Sequence, residues 1–150
     1  MVFWASQGIN FKLNNRLLIR RWLNEIVRLK GQTLNALSVI FCSDSFLLDL
    51  NRKFLNHDYY TDVITFDARV PHHEQMISAK GIEGDIFISI DRVKDNANFY
   101  EVPFREELTR VMAHGLVHLL GYNDSTLEDR ESMRREEDAA LRLLAKMFST

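Results

Sequence analysis

The 150 residues are read as one domain, residues 1–150, long enough to bury a core of its own. An apolar content of 46% and a charged content of 27% are those of an ordinary soluble globular protein, and a formal charge of −2 does not announce a nucleic-acid binder. Cys42 is the only cysteine, which excludes an intrachain disulfide, and no apolar run approaches a membrane span. The start of the chain lacks the basic and apolar regions of a signal peptide, so the expected compartment is the cytoplasm.

Taken in chain order, Val2 to Ala5 is a short apolar edge strand, with Phe11 and Leu13 continuing it after a turn at Gly8. Asn14 or Asn15 is placed to cap a helix that runs to about Lys30 and stops at Gly31. Leu18, Trp22, Ile26 and Leu29 form its apolar stripe with Leu23 and Val27 alongside, while Arg16, Arg20, Arg21 and Arg28 decorate a solvated face. Leu37, Val39 and Phe41 alternate as a strand. Ser43 or Asp44 then caps a helix through about Leu55, with Phe46, Leu47, Leu50 and Phe54 on its buried side. After a connector at 56–60, Thr61 to Ala68 is rich in β-formers.

Residues 69–80 read as a polar loop or hairpin excursion, and its His72-His73 pair as solvated. Ile82 to Ile90 is almost continuously apolar, as in a central strand covered on both faces. A helix from Asp91 to about Tyr100 follows, and Pro103 suits the first turn of the next. Ser125-Thr126-Leu127-Glu128 reads as a capping box for the last helix, which is expected to bury Leu127, Ala140, Leu144 and Met147. These elements predict an α+β fold of α/β-like character: a small mixed sheet of about four strands with about five helices. The first strand–helix–strand segment predicts a parallel pair, and strands 61–68 and 82–90 a hairpin.

The chemistry gathers in the run from Met112 to Asp124. His114 and His118 stand one helical turn apart, so both imidazoles can reach one ion. Gly121 can end the helix and turn the chain back, and Asp124 can then bring its carboxylate to the same ion at the helix end. Three protein ligands on a zinc ion leave a fourth position for water. Gly115 occupies the place where His-Glu-x-x-His proteases carry their general base, so a base must come from elsewhere in the chain.

Three stretches carry a wider resemblance: Leu50 to Phe54 running into Thr61 to Phe66, Gly84-Asp85-Ile86-Phe87-Ile88, and His114 to Asp124. Together they resemble the bacterial YbeY-type endoribonucleases, a family of ribosomal RNA maturation factors, over essentially the whole chain. The resemblance implies a metal-dependent, single-strand-specific endoribonuclease acting in ribosomal RNA maturation and ribosome quality control. It implies ribosomal RNA and the small ribosomal subunit as partners, without DNA or a membrane. The implied cofactor is one divalent ion per chain, zinc or another transition metal, on His114, His118 and Asp124. Asp62 and Asp85 fall in the family's other motifs and are the catalytic candidates, each able to act as base or to orient a ligand histidine. Arg52, Lys53 and Arg69 are the candidates for RNA phosphate, and Tyr122 for packing or base stacking.

Two departures stand out. The family usually has histidine where this chain has Asp124, and an arginine where it has Leu55. Two other readings compete with the nuclease. A zinc peptidase-like hydrolase would share the third-ligand spacing but lacks the base at Gly115. A non-enzymatic ribosome assembly factor would hold a structural metal and need a fourth protein ligand, such as His57 or a loop histidine.

Overall fold

The computed structural model describes residues 1–69 and 81–149. The loop expectation for 69–80 and the His72-His73 pair therefore lie, apart from Arg69, outside the described residues.

The described residues form four strands and five helices. They are β1 (Val2–Gln7), α1 (Arg16–Leu29), β2 (Thr33–Cys42), α2 (Asp44–Leu55), β3 (Val63–Asp67), β4 (Gly81–Ser89), α3 (Ile90–Tyr100), α4 (Phe104–Leu119) and α5 (Leu127–Ser149). The sheet order is β1-β2-β4-β3. β1 pairs parallel to β2 and β2 parallel to β4, while β3 pairs antiparallel to β4 with Thr65 opposite Ile86. The expected α+β architecture, the parallel first pair and the hairpin are all present. β4 is an interior strand, which is why Ile82, Ile86 and Ile88 are fully buried.

Period-two alternation gives each sheet face its own cover. Leu37, Val39, Ile86 and Ile88 join Trp22, Leu108 and Met112 in the main core, beneath α1, α4 and α5. The opposite face carries Cys42, Leu47 and Ile64, with Phe46 and Phe87 packed on them under α2. α4 lies very close to the sheet. A Cβ on Gly115 would stand 2.9 Å from Ile86 Cγ2 and 3.2 Å from Thr65 Cγ2, and one on Gly84 would stand 2.7 Å from the Phe66 carbonyl oxygen. Those two glycines let helix and sheet touch where any side chain would separate them. The indole of Trp22 donates to the Ala140 carbonyl at 2.7 Å and ties α1 to α5.

Several local expectations are corrected. Phe11 and Leu13 are outside any strand; both pack inward from the segment between β1 and α1. Asn15 precedes α1 in the left-handed region (φ 56°), and its side chain makes no capping bond, whereas Ser43 caps α2 by accepting from the Phe46 N–H at 3.2 Å. The capping box at α5 is one residue later than expected: Thr126 Oγ1 accepts from Asp129 N–H and Asp129 Oδ2 from Thr126 N–H. Leu29, Phe54 and Leu127 are 60%, 65% and 67% exposed, because each sits in an end turn of its helix that projects past the layer it packs on. Cys42 is buried as expected, and burial with the nearby charges of Asp44 and Asp91 pushes its thiol up to about 12, so it is chemically inert.

Candidate metal centre

α4 ends in a glycine-terminated reversal that builds the site. The Gly121 N–H donates to the His118 carbonyl at 3.0 Å and the Tyr122 N–H to the Val117 carbonyl at 3.3 Å, with Gly121 at φ 106°. This pair of bonds is the Schellman motif, and the left-handed residue it requires is the glycine read from the sequence. The reversal returns the chain alongside its own helix. It puts the Tyr122 carbonyl 2.7 Å from His118 Nδ1 and carries Asp124 to the two histidines.

His118 Nδ1 faces a carbonyl and His114 Nδ1 faces the Glu137 carboxylate at 2.7 Å. A carbonyl and a carboxylate only accept, so each Nδ1 carries a proton and each Nε2 is the atom left to bind an ion. The two Nε2 atoms face one carboxylate: His114 Nε2 lies 3.5 Å from Asp124 Oδ2 and His118 Nε2 3.9 Å from Oδ1. Donors on a tetrahedral zinc at about 2.0–2.1 Å stand roughly 3.3 Å apart, so the set is slightly open. Among the described residues no three His, Cys, Asp or Glu side chains stand at full metal-binding geometry. The half-exposed Asp124 carboxylate is the member free to close the gap, since both rings are held at their far nitrogens. The donor chemistry of two imidazoles and one carboxylate, with second-nitrogen anchors in place, fits a divalent transition ion.

Glu137, on α5, is a functional residue that the sequence reading missed. Its side chain is 9% exposed and bridges His114 and Arg110, whose Nη1 lies 3.2 Å from Oε1; Arg110 in turn reaches Asp138 at 2.9 Å. Burial pulls the His114 pKa down, but the hydrogen bond and charge of Glu137, with Asp124 and Asp62, outweigh it and raise the ring above its ordinary value.

The other candidates separate by position. Asp62 shares the cavity with His114, His118 and Asp124, and its carboxylate accepts from Asn96 Nδ2 at 3.3 Å. Burial raises its pKa, against the charge of His114 and backbone N–H groups. Asp85 is not in the cavity. Strand alternation sets it opposite Gly84 and Ile86, which face α4, and so on the sheet face away from the histidines. The ring of Tyr122 also points elsewhere: its hydroxyl donates to Glu136 Oε1 and receives Lys30 Nζ at 3.0 Å. The ring lies outside the cavity lined by the histidines, and the Tyr122 carbonyl faces His118 Nδ1. Arg52 is paired with Asp58, and Arg69 with Asp67 and the Leu119 carbonyl; neither lines the cavity, nor does the exposed Lys53. His57 reaches the cavity rim, with its Nδ1 taken by the Tyr59 hydroxyl at 2.9 Å.

The cavity holds about 380 Å³ and opens to solvent between the α2–β3 connector and the end of α4. Its walls come from the end of α2, the connector, β3 and the three metal-ligand candidates, and the close contact of Gly115 with Thr65 adjoins it.

The chain is similar to known proteins over nearly its whole length. A model of the family described as endoribonuclease YbeY matches residues 5–145. The endoribonuclease YbeY of Cytophaga hutchinsonii is 50% identical over 143 residues, covering 95% of this chain and 94% of that protein. The endoribonuclease YbeY of Amoebophilus asiaticus is 46% identical over 136 residues, covering 91% and 88%. A solution structure from Thermotoga maritima shares the fold with a TM-score of 0.64 at 22% identity, covering 99% of this chain and 92% of that one. With the family model spanning nearly the full length and relatives at up to half identity, the chain belongs to the endoribonuclease YbeY family.

Proposed function

We propose that this protein is a metal-dependent endoribonuclease that hydrolyses single-stranded RNA in the maturation and quality control of ribosomal RNA, acting in the cytoplasm on the small ribosomal subunit. The observation that carries the metal dependence is the pair of Nε2 atoms facing one carboxylate, each ring fixed from behind. His114, His118 and Asp124 would hold one ion per chain, zinc by donor type. A bound ion supplies Lewis acidity, polarising a phosphate oxygen and lowering the pKa of water.

The chain's own groups do the rest. Glu137 and the Tyr122 carbonyl hold both rings by Nδ1 and keep each Nε2 aimed into the site. Asp62, whose carboxyl is held above its ordinary pKa mainly by burial, is the group in the cavity suited to take and return a proton. The RNA substrate follows from family membership, and the preference for single strands from the shape: a duplex fixes its phosphates away from a small cleft and hides its base faces. A peptidase is disfavoured by Gly115, whose position is packed on Ile86 and Thr65 with no room for a base.

The test compares wild type with the His114→Ala/His118→Ala double variant on a labelled single strand, with metal content measured and a peptide pool run in parallel. Wild type should hold about one ion per chain and cut only RNA, and the double variant should do neither. Equal cutting by both would remove the assignment and favour a non-enzymatic assembly factor. Peptide cleavage would favour a protease.

A further inference from the structure

Two aromatic rings enter the cavity from the connector between α2 and β3. His57 and Tyr59 lie 5.1 Å apart, centre to centre, with their planes inclined by 20°, and the Tyr59 hydroxyl is hydrogen-bonded to His57 Nδ1. The pair is held from below. Asn51, itself 1% exposed, donates its amide to the Tyr59 carbonyl at 2.9 Å, and Arg92 sits 4.7 Å from the ring centre of the next residue, Tyr60. Yet Tyr59 is 55% exposed. A ring pair assembled for stability would be covered. This one is fixed in orientation and left open beside the metal-ligand candidates.

The charges of the cavity sharpen the point. Of the residues lining it, none is lysine or arginine, and the carboxyl groups there are Asp62 and Asp124. On the connector side the Arg52 guanidinium is paired with Asp58. Apart from a bound ion, the cavity offers a polyanion no lysine or arginine among the described residues. It offers π-faces, which every nucleobase can use whatever its sequence.

Building on the ribonuclease reading above, we infer that the His57–Tyr59 pair is a base-stacking platform that holds a nucleobase of the single strand beside the His114–His118–Asp124 centre. The strand is gripped at a base, and its phosphate is presented to the ion. Three consequences follow from that division. Adenine-rich strands are preferred over uracil-rich ones, since the larger ring stacks more area. The affinity depends weakly on salt, because few phosphate contacts release counterions. A strand without bases is a poor ligand although its phosphates are intact.

The experiment uses the full zinc-loaded chain and an adenine-rich single strand as substrate, with an abasic strand of equal length as competitor. Tyr59→Ala should raise KM by roughly five- to a hundredfold, the range of base–aromatic stacking, and the effect should fall on KM rather than kcat. Tyr59→Phe should retain most of the affinity and Tyr59→Trp should improve it. The abasic strand should compete poorly, and equally so in wild type and Tyr59→Ala. Thermal unfolding of each variant checks the fold. An unchanged KM in Tyr59→Ala, or an abasic strand that competes as well as an intact one, overturns the platform while leaving the nuclease standing. If zinc-loaded wild type cuts no RNA, the nuclease reading falls instead. The uncut strand then gives the same comparison directly by fluorescence anisotropy, and binding that ignores Tyr59 overturns the platform as well.

Discussion

Replacing Glu137 by glutamine probes how the fold aims its metal donors. The carboxylate accepts twice, from His114 Nδ1–H at Oε2 and from Arg110 Nη1 at Oε1. A glutamine has one oxygen and one NH2 group, so it can satisfy only one of these donors. If the oxygen turns to Arg110, the amide meets Nδ1–H, and His114 must move its proton to Nε2, which disables the donor. If the oxygen turns to His114, the amide faces Arg110, which still has Asp138 at 2.9 Å. The second arrangement wins because Arg110 has an alternative and His114 has none. The ring then keeps its tautomer but loses an anionic anchor. Replacing such an outer partner costs about ten- to a hundredfold in metal affinity, and glutamine should fall near the lower end.

Glu137→Ala removes the acceptor altogether and leaves a buried Nδ1–H unpaired. It should approach the upper end and cost about 1–3 kcal/mol of stability besides. Chelator competition for zinc measures the affinities, and thermal unfolding of the metal-free proteins separates stability from binding. Glu137→Ala binding zinc as tightly as wild type would refute the reasoning, since the hydrogen bond to Glu137 would then not set the donor atom of His114.

Three further perturbations test other parts of the site. Gly115→Ala gains about 1 kcal/mol of helix propensity, but its Cβ meets Ile86 and Thr65 at 2.9 and 3.2 Å, and overpacking of about 1–3 kcal/mol should leave a net loss in denaturant unfolding; a more stable variant would contradict the close packing. Asp124→His should keep the metal and move the activity profile to lower pH, because the ion becomes more positive and one of the charges holding the His114 proton is removed; a shift upward would count against Asp124 as ligand. The raised pKa of His114 also links pH to stability. In the metal-free chain its contribution is complete below the ordinary histidine value of about 6.5 and is lost as pH rises through the folded value, whereas zinc requires the proton to leave. Thermal midpoints with and without zinc should therefore diverge as pH rises from about 6 to about 8, and a constant difference would exclude His114 as a donor.

Much of this architecture was legible in the residues. The Ser43 cap, the apolar run of β4 and the proline at the start of α4 are local signals, and local signals suffice where one element dictates its own limits. The metal-ligand candidates were legible for the same reason: the spacing from His114 to Asp124 lies within one helix end and its return. Glu137 was not, because nothing in a helix rich in Glu and Arg marks which carboxylate is buried; only the packing of α5 on α4 does. Asp85 and Asp62 could not be ranked either, since strand parity separates their faces only once it is known which face carries the histidines. Proximity in sequence to the metal ligands put Tyr122 forward, but the direction of the return loop sends its ring to Lys30.

The three donor candidates are mounted unequally. Two stand on a helix pressed against the sheet, and the third stands on a return loop held by the Schellman bonds and one carbonyl. A donor on that helix has a fixed reach, so a longer or shorter side chain there loses the ion. A loop donor can be refitted by small changes in backbone torsion. Position 124 is thus the place where a carboxylate or an imidazole could serve on the same scaffold. It is also the place from which a bound ion would be released first, so the residence time of the metal is a property of residues 122–124 more than of α4.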